Sequence, residues 1–136
     1  MAPVCSTALV RCMDFRLGSA VREYLEANNL YNDVDIISLA GAAKDIAQTD
    51  DSVAETQVDL SKKLHDIKTV ILMNHTDCGG YGGRAAFDSD EAEREGHVAD
   101  MRAAKAKIVA KHEGVEVKIA LAKIGEGGAV EIEEIE

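Results

Sequence analysis

The chain has 136 residues, with 25 Asp and Glu against 15 Lys and Arg, a net charge of −10. That length suits one domain over residues 1–136, a size that buries roughly 70% of its unfolded surface. The acidity counts against a nucleic-acid partner, which needs clustered basic side chains. The longest aliphatic run, Val70 to Met73, is far too short to span a membrane, and no basic cluster precedes a long apolar stretch near residue 1. A cytoplasmic protein without a membrane partner is the expectation.

Residues 4–12 (VCSTALVRC) are apolar and β-branched and predict a buried strand. From Leu17 to Asn28, Val21, Tyr24 and Leu25 recur at helical spacing, and Asn28-Asn29 marks the stop. A second strand, Val34 to Leu39, leads into the small-residue turn Ala40-Gly41-Ala42-Ala43. Ser52-Val53-Ala54-Glu55 has the form of a capping box, and the helix it opens is expected to turn Val53, Leu60, Leu64 and Ile67 inward. Thr69 to Met73, almost wholly apolar, predicts a central strand that runs into the glycine-rich segment Asn74 to Gly83. A polar helix follows from about Ser89 to His112, with Val98, Met101, Ile108 and Val109 facing inward and Gly114 as its stop. Val115, Val117, Ile119 and Leu121 alternate with Glu116, Lys118 and alanines, the pattern of a strand with one exposed face. Gly125 to Gly128 turns the chain into a last strand, Ala129 to Ile135, whose acidic residues read as a solvated edge. This alternation predicts an α/β fold with a mostly parallel central sheet, helices on both faces and a C-terminal antiparallel edge strand.

Three cysteines without a secretory signal do not make a disulfide framework. Cys5 has no chemically suggestive neighbour and is assigned to the core. Cys12 and Cys78 lie in richer company. In Cys12-Met13-Asp14-Phe15-Arg16, an extended backbone aims a thiol, a carboxylate and a guanidinium to one side. In His75-Thr76-Asp77-Cys78, a histidine and a cysteine three apart on a turn can converge, and the glycines that follow permit close backbone approach. Both motifs follow strands at their carboxyl ends, where open parallel sheets bind ligands. If those two strands are neighbours, Cys12, His75 and Cys78 meet, a donor set that zinc favours with its fourth position open. A closed structural zinc site, with Asp14 or a neighbour as fourth ligand, is the alternative. His65, His97 and His112 are read as structural, and Thr76 and Asp77 as turn formers.

With its C-x-D-x-R segment (Cys12, Asp14, Arg16) and its H-x-x-C segment (His75, Cys78, within HTDCGG), the chain resembles the β-class carbonic anhydrases along essentially its whole length. The resemblance implies a Zn2+ held by Cys12, His75 and Cys78, an Asp14–Arg16 catalytic dyad, and parallel strands in the order 2-1-3-4. It also implies reversible hydration of carbon dioxide to bicarbonate by a zinc-activated water that Asp14 orients, with Gly79, Gly80, Ala40 and Gly41 at the substrate position. A homodimer or higher homo-oligomer is expected. The chain reads as a short, trimmed member: it lacks the usual N-terminal helical arm, Leu39 replaces the usual Asn before Ala40-Gly41, and Phe15 stands where a small residue is common and is expected to narrow the entrance. A carbonyl sulfide or carbon disulfide hydrolase on the same site, or a non-catalytic zinc module, are the competing readings.

Overall fold

In the computed structural model, which describes residues 2–136, the elements alternate as the sequence predicts. They are β1 (Thr7–Arg11), α1 (Gly18–Ala27), β2 (Val34–Ser38), α2 (Ala43–Gln48), α3 (Val53–His65), β3 (Thr69–His75), α4 (Asp90–Lys111), β4 (Glu116–Ile124) and β5 (Val130–Ile135). The strands form one sheet in the order β2-β1-β3-β4-β5. β1 to β4 pair in parallel, and β5 closes the edge antiparallel to β4. The chain leaves β1 toward β2 on one side, and β3 and β4 lie on the other. The strand order therefore reverses between β1 and β3, where such sheets open a crevice at their carboxyl ends.

Ala8, Leu9 and Val10 are consecutive and fully buried, as are Val70, Leu72 and Met73 in β3. Successive strand residues face opposite ways, so both sides of these central strands are covered. α2, α3 and α4 pack on one another and on the sheet, whereas α1 packs beside β5. Leu9, Ile46, Ile67, Leu72, Met101 and Leu121 are among the largest fully buried side chains, each contributing about 1.5–3 kcal/mol of transfer free energy.

Several expectations need correction. β1 spans Thr7–Arg11 rather than 4–12. α3 does begin at Ser52, whose side chain accepts a hydrogen bond from the Glu55 amide. Its inward stripe, however, is Ala54, Val58 and Ser61; Val53, Leu60 and Leu64 are exposed and only Ile67, beyond the helix end, is buried as expected. The small face lets α3 lie close to the sheet. Val109 on α4 also points to solvent, while Val98, Met101 and Ile108 are buried. β4 alternates only over its first half: Ala120 and Ala122 are buried as well as Ile119 and Leu121, so both faces of the strand are covered there. α2 lies where the sequence shows only a turn. No side chain of its own N-cap, Ala42, caps it; the Asn74 side-chain oxygen, 31 residues away, accepts the Ala43 amide at 3.0 Å.

Candidate active site

Arg11, the last residue of β1, is registered with Ser38 of β2 and Met73 of β3. Cys12 therefore leaves the sheet at its carboxyl edge beside the end of β3, where His75 and then Cys78 emerge. The Cys12 and Cys78 sulfurs stand 3.9 Å apart. A donor atom from each of Cys12, His75 and Cys78 lies within 4.8 Å of the other two, and all three residues are buried. His75 Nδ1 lies 2.7 Å from the Thr76 carbonyl oxygen. An amide carbonyl can only accept, so Nδ1 carries the proton and Nε2 presents its lone pair. That Nε2 is buried and has no hydrogen-bond partner. A buried, unpartnered nitrogen costs free energy unless something occupies its lone pair, and here it faces two sulfurs. The donor set and the oriented imidazole fit Zn2+.

The Cys12 thiol is held well below the usual thiol range. The Cys78 thiol donates to its sulfur, and His75 and the amides of Gly41 and Asp14 add to this against the cost of burial. Cys78 is pushed the other way by sharing its proton with Cys12 and by burial, although the amides of Gly80 and Tyr81 point at its sulfur. The pair gives up its first proton readily, and a divalent cation would displace the second.

Asp14 lies beside this cluster, with one carboxylate oxygen 3.8 Å from His75 Nε2. Arg16 grips it: Nε donates to Oδ1 at 3.0 Å, Nη2 to Oδ2 at 2.8 Å, and the Arg16 amide to Oδ1 at 2.8 Å. These bonds, against partial desolvation, hold the Asp14 pKa down at about 2. Arg16 is itself anchored by Asp77, whose carboxylate accepts from Nη1 at 3.1 Å and whose carbonyl accepts from Nη2 at 2.9 Å. Asp77 is thus more than a turn former, although its φ of 54° does make the turn. Its amide donates to Glu93 at 2.7 Å, a carboxylate only 1% exposed, and its Oδ1 accepts from the Arg84 amide at 2.8 Å. Thr76 likewise does structural work: its hydroxyl accepts the Ile124 amide at 2.8 Å and ties the loop to β4. The sequence reading missed Asp77 and Glu93 as supports of Arg16, because no local pattern marks a contact spanning 61 residues.

The backbone closes the other wall. Gly41 (φ 82°) and Ala42 (φ 47°) reverse the chain after β2 and turn the Gly41 amide toward the Cys12 sulfur. Gly80 lies against this turn: a Cβ there would stand 3.0 Å from the Gly41 nitrogen and 3.1 Å from its Cα. Lys44 secures the contact by donating to the Gly80 carbonyl at 2.6 Å. Gly79 is open on all sides, and Leu39 is partly buried at the edge of the core. Phe15 is 90% exposed. Gly80→Ala is expected to push the Cys78 loop off the Gly41 turn, with a cost of about 1–3 kcal/mol in stability. A urea unfolding curve checks this; an unshifted midpoint would show that the two backbones can separate freely.

The family model described as "Putative carbonic anhydrase" matches residues 3–131. The chain belongs to this carbonic anhydrase family. It is 28% identical over 135 residues to an uncharacterized protein of Rickettsia conorii, covering 93% of this chain and 70% of that protein. Over 133 residues it is also 28% identical to an uncharacterized protein of Rickettsia bellii, covering 93% and 80%. Its fold is similar to that of β-carbonic anhydrase isoform I from Trichomonas vaginalis, with a TM-score of 0.60, 16% identity and 96% and 83% of the two chains covered. The same holds for a β-carbonic anhydrase from Sordaria macrospora, one of two described as tetrameric, with a TM-score of 0.65, 16% identity and coverage of 98% and 81%.

Behind the site of this carbonic anhydrase-family chain lies a buried polar network. Asn74, with its oxygen committed to the Ala43 amide, donates to the Tyr81 hydroxyl at 2.9 Å and to His97 Nδ1 at 3.0 Å. Tyr81 donates onward to Asp100 at 2.6 Å. His97 is structural, as expected, but sits in the interior rather than on a helix surface, with its ring centroid 4.3 Å from that of Tyr81. Burial, helped by His75, pushes its pKa down to about 4, so it is neutral in the folded chain. A base depressed in this way contributes stability that is fully present above its unfolded pKa of about 6.5 and is lost as pH falls toward 4. Wild-type stability is therefore expected to fall more steeply between pH 6.5 and 4 than that of His97→Phe, by about 3 kcal/mol at about 1.36 kcal/mol per pH unit. Urea midpoints across that range read the difference; parallel pH profiles would show that His97 is protonated without cost.

Proposed function

We propose that the protein is a zinc-dependent carbonic anhydrase, catalysing the reversible hydration of carbon dioxide to bicarbonate and a proton. The observation that carries this reading is the buried, unpartnered His75 Nε2, facing the Cys12 and Cys78 sulfurs beside an Asp14 clasped by Arg16. Cys12, His75 and Cys78 would hold the metal. Zinc bound by three protein ligands supplies a water whose pKa falls from 15.7 to about 7, acid enough to yield a nucleophile at neutral pH.

The remaining chemistry belongs to the chain. Asp14 is ionised throughout the working pH range and can only accept hydrogen bonds, so its carboxylate would accept from the attacking water and hold it oriented toward carbon dioxide. Arg16 holds Asp14 apart from the Cys12, His75 and Cys78 donors: three of its N–H groups are spent on that carboxylate. Asp77 and, through its amide, Glu93 fix Arg16 in turn. Carbon dioxide is small and has no donors, so a wall of small residues suits it. Ala40, Gly41, Gly79 and Gly80 are proposed to form that wall. A homo-oligomer is part of this reading, since Ile36 on β2 and Val53, Leu60 and Leu64 on α3 stand exposed where a second copy would cover them.

Stopped-flow hydration of carbon dioxide by the zinc-loaded protein tests the proposal. A rate well above buffer is expected. A buffer-level rate, with carbonyl sulfide hydrolysed instead, would replace the substrate; inactivity toward both would leave a zinc-holding module and overturn the enzyme reading.

A further inference from the structure

At the opposite end of the sheet, a second set of donors converges. Cys5 precedes β1, Asp35 is the second residue of β2, and His65 is the last residue of α3. A donor atom of each lies within 4.8 Å of the other two, and all three residues are half-buried. Cys5, partly buried against the core as the sequence suggests, is also the third corner of a Cys-Asp-His cluster. We propose that Cys5, Asp35 and His65 form a second zinc site, distinct from the one at Cys12, His75 and Cys78.

Four observations support it. First, the donors suit the ion: thiolate, carboxylate and imidazole are all zinc ligands, whereas magnesium and calcium take oxygen. One thiolate and one carboxylate also balance the charge of a divalent cation. Second, the main chain builds the site in advance. The Cys5 amide donates to the His65 carbonyl at 3.1 Å, the Ser6 amide donates to Asp33 at 2.9 Å, and β1 and β2 are registered Ala8 to Asp35. Third, the carboxylate is already oriented. Ser61 donates to Asp35 Oδ2 at 2.6 Å, and His65 Nδ1 lies 2.7 Å from the same oxygen. A hydrogen-bonded partner that aims a ligating carboxylate is a regular feature of metal sites. The Cys5 thiol lies 3.6 Å from the Thr7 carbonyl and beside the Asp35 carboxylate; burial and that negative charge push its pKa up, and a divalent cation between the two would reverse the charge effect. Fourth, the single chain offers an entry path: Asp35, Ser61 and His65 line an open hollow of about 240 Å³ between β2 and α3, on the face with Ile36, Leu60 and Leu64 that a second copy would cover, so the ion would enter before the copies assemble.

The two sites lie at opposite ends of β1. Cys5 and Cys12 are seven residues apart, or about 23 Å along an extended chain, so a single ion cannot serve both. Zinc at the second site would staple the segment before β1, the edge strand β2 and the end of α3. The role would be structural.

Equilibrium dialysis of the full-length, reduced, metal-free chain against zinc, read by elemental analysis, tests the proposal. The wild type is expected to bind two zinc ions per chain and Cys5→Ser one. In the Cys12→Ser/Cys78→Ser double variant one zinc should remain, and adding Cys5→Ser should remove it. Asp35→Asn and His65→Gln in that double variant should each weaken binding more than the roughly 10- to 100-fold seen on losing a partner of a ligand. Cobalt binding to the double variant should show a single thiolate-to-metal charge-transfer band that vanishes with Cys5→Ser. If the double variant does not fold, the comparison of wild type with Cys5→Ser stands alone. A Cys5→Ser variant that binds as much zinc as its parent, or a folded Cys12→Ser/Cys78→Ser variant that binds none, overturns the second site and leaves the Asp35–His65 contact only. Both results are independent of whether the first site hydrates carbon dioxide.

Discussion

Asp14→Asn is expected to keep its zinc and to lose carbon dioxide hydration by about 100- to 1,000-fold, the loss that follows removal of one preorganised hydrogen bond to a reacting group. The substitution is nearly isosteric, and Asp14 is not among the three converging donors, so metal content should not change. What changes is the donor count. The Asp14 carboxylate now accepts three N–H groups from Arg16 and leaves capacity to accept from the nucleophile. An Asn has one acceptor oxygen and one NH2. If the oxygen stays with Arg16, the NH2 faces the nucleophile and competes for its lone pair; if it turns outward, the NH2 meets the guanidinium. Either arrangement removes the orienting acceptor. The loss should fall on kcat rather than KM, because the orientation matters in the transition state more than in the ground state. Stopped-flow assays paired with metal analysis read both quantities, and unchanged turnover in a zinc-replete variant would remove Asp14 from the mechanism.

Cys78→Ser is expected to cost the site its metal. A serine hydroxyl does not ionise at neutral pH, and the neutral oxygen is a poor replacement for a thiolate that two backbone amides already favour. The variant should hold one zinc fewer per chain than its parent, and Cys12→Ser should behave alike. Stability follows the metal. A ligand that binds only the folded chain adds about 4.1 kcal/mol at 1,000 times its Kd, so zinc should raise the Tm of the wild type much more than that of either variant. Thermal scans with and without zinc check this. A variant that retains the parent's full zinc content would refute the ligand assignment.

The parts of the site that lie within short segments were legible in the sequence. Cys12-x-Asp14-x-Arg16 and His75-x-x-Cys78 could be read because strand alternation and turn geometry already group those side chains. The sheet order followed from the resemblance these motifs carry, and it is the order observed. What escaped notice depends on contacts between distant segments. α2 is capped by Asn74 rather than by a residue of its own, and so has no local start signal. Asp77 and Glu93 support Arg16 across the loop and α4, and spacing alone does not reveal this. The buried stripe of α3 differs from its large apolar residues, Val53, Leu60 and Leu64. The helix instead presents Ala54, Val58 and Ser61 to the sheet, and leaves Leu60 and Leu64 outside. The Cys5 cluster is invisible in the sequence for the same reason: its members come from three segments joined only in the fold.

Zinc held by Cys12, His75 and Cys78, beside an anchored Asp14, is proposed to support the hydration of carbon dioxide. The most direct test is a zinc titration of the metal-free chain, with the hydration rate followed by stopped flow at each addition. The rate is expected to rise in proportion to occupancy of this site, to level off once it is full, and to stay near the buffer value throughout for Asp14→Asn. A wild-type rate that remains at the buffer value with the site filled would contradict that proposal.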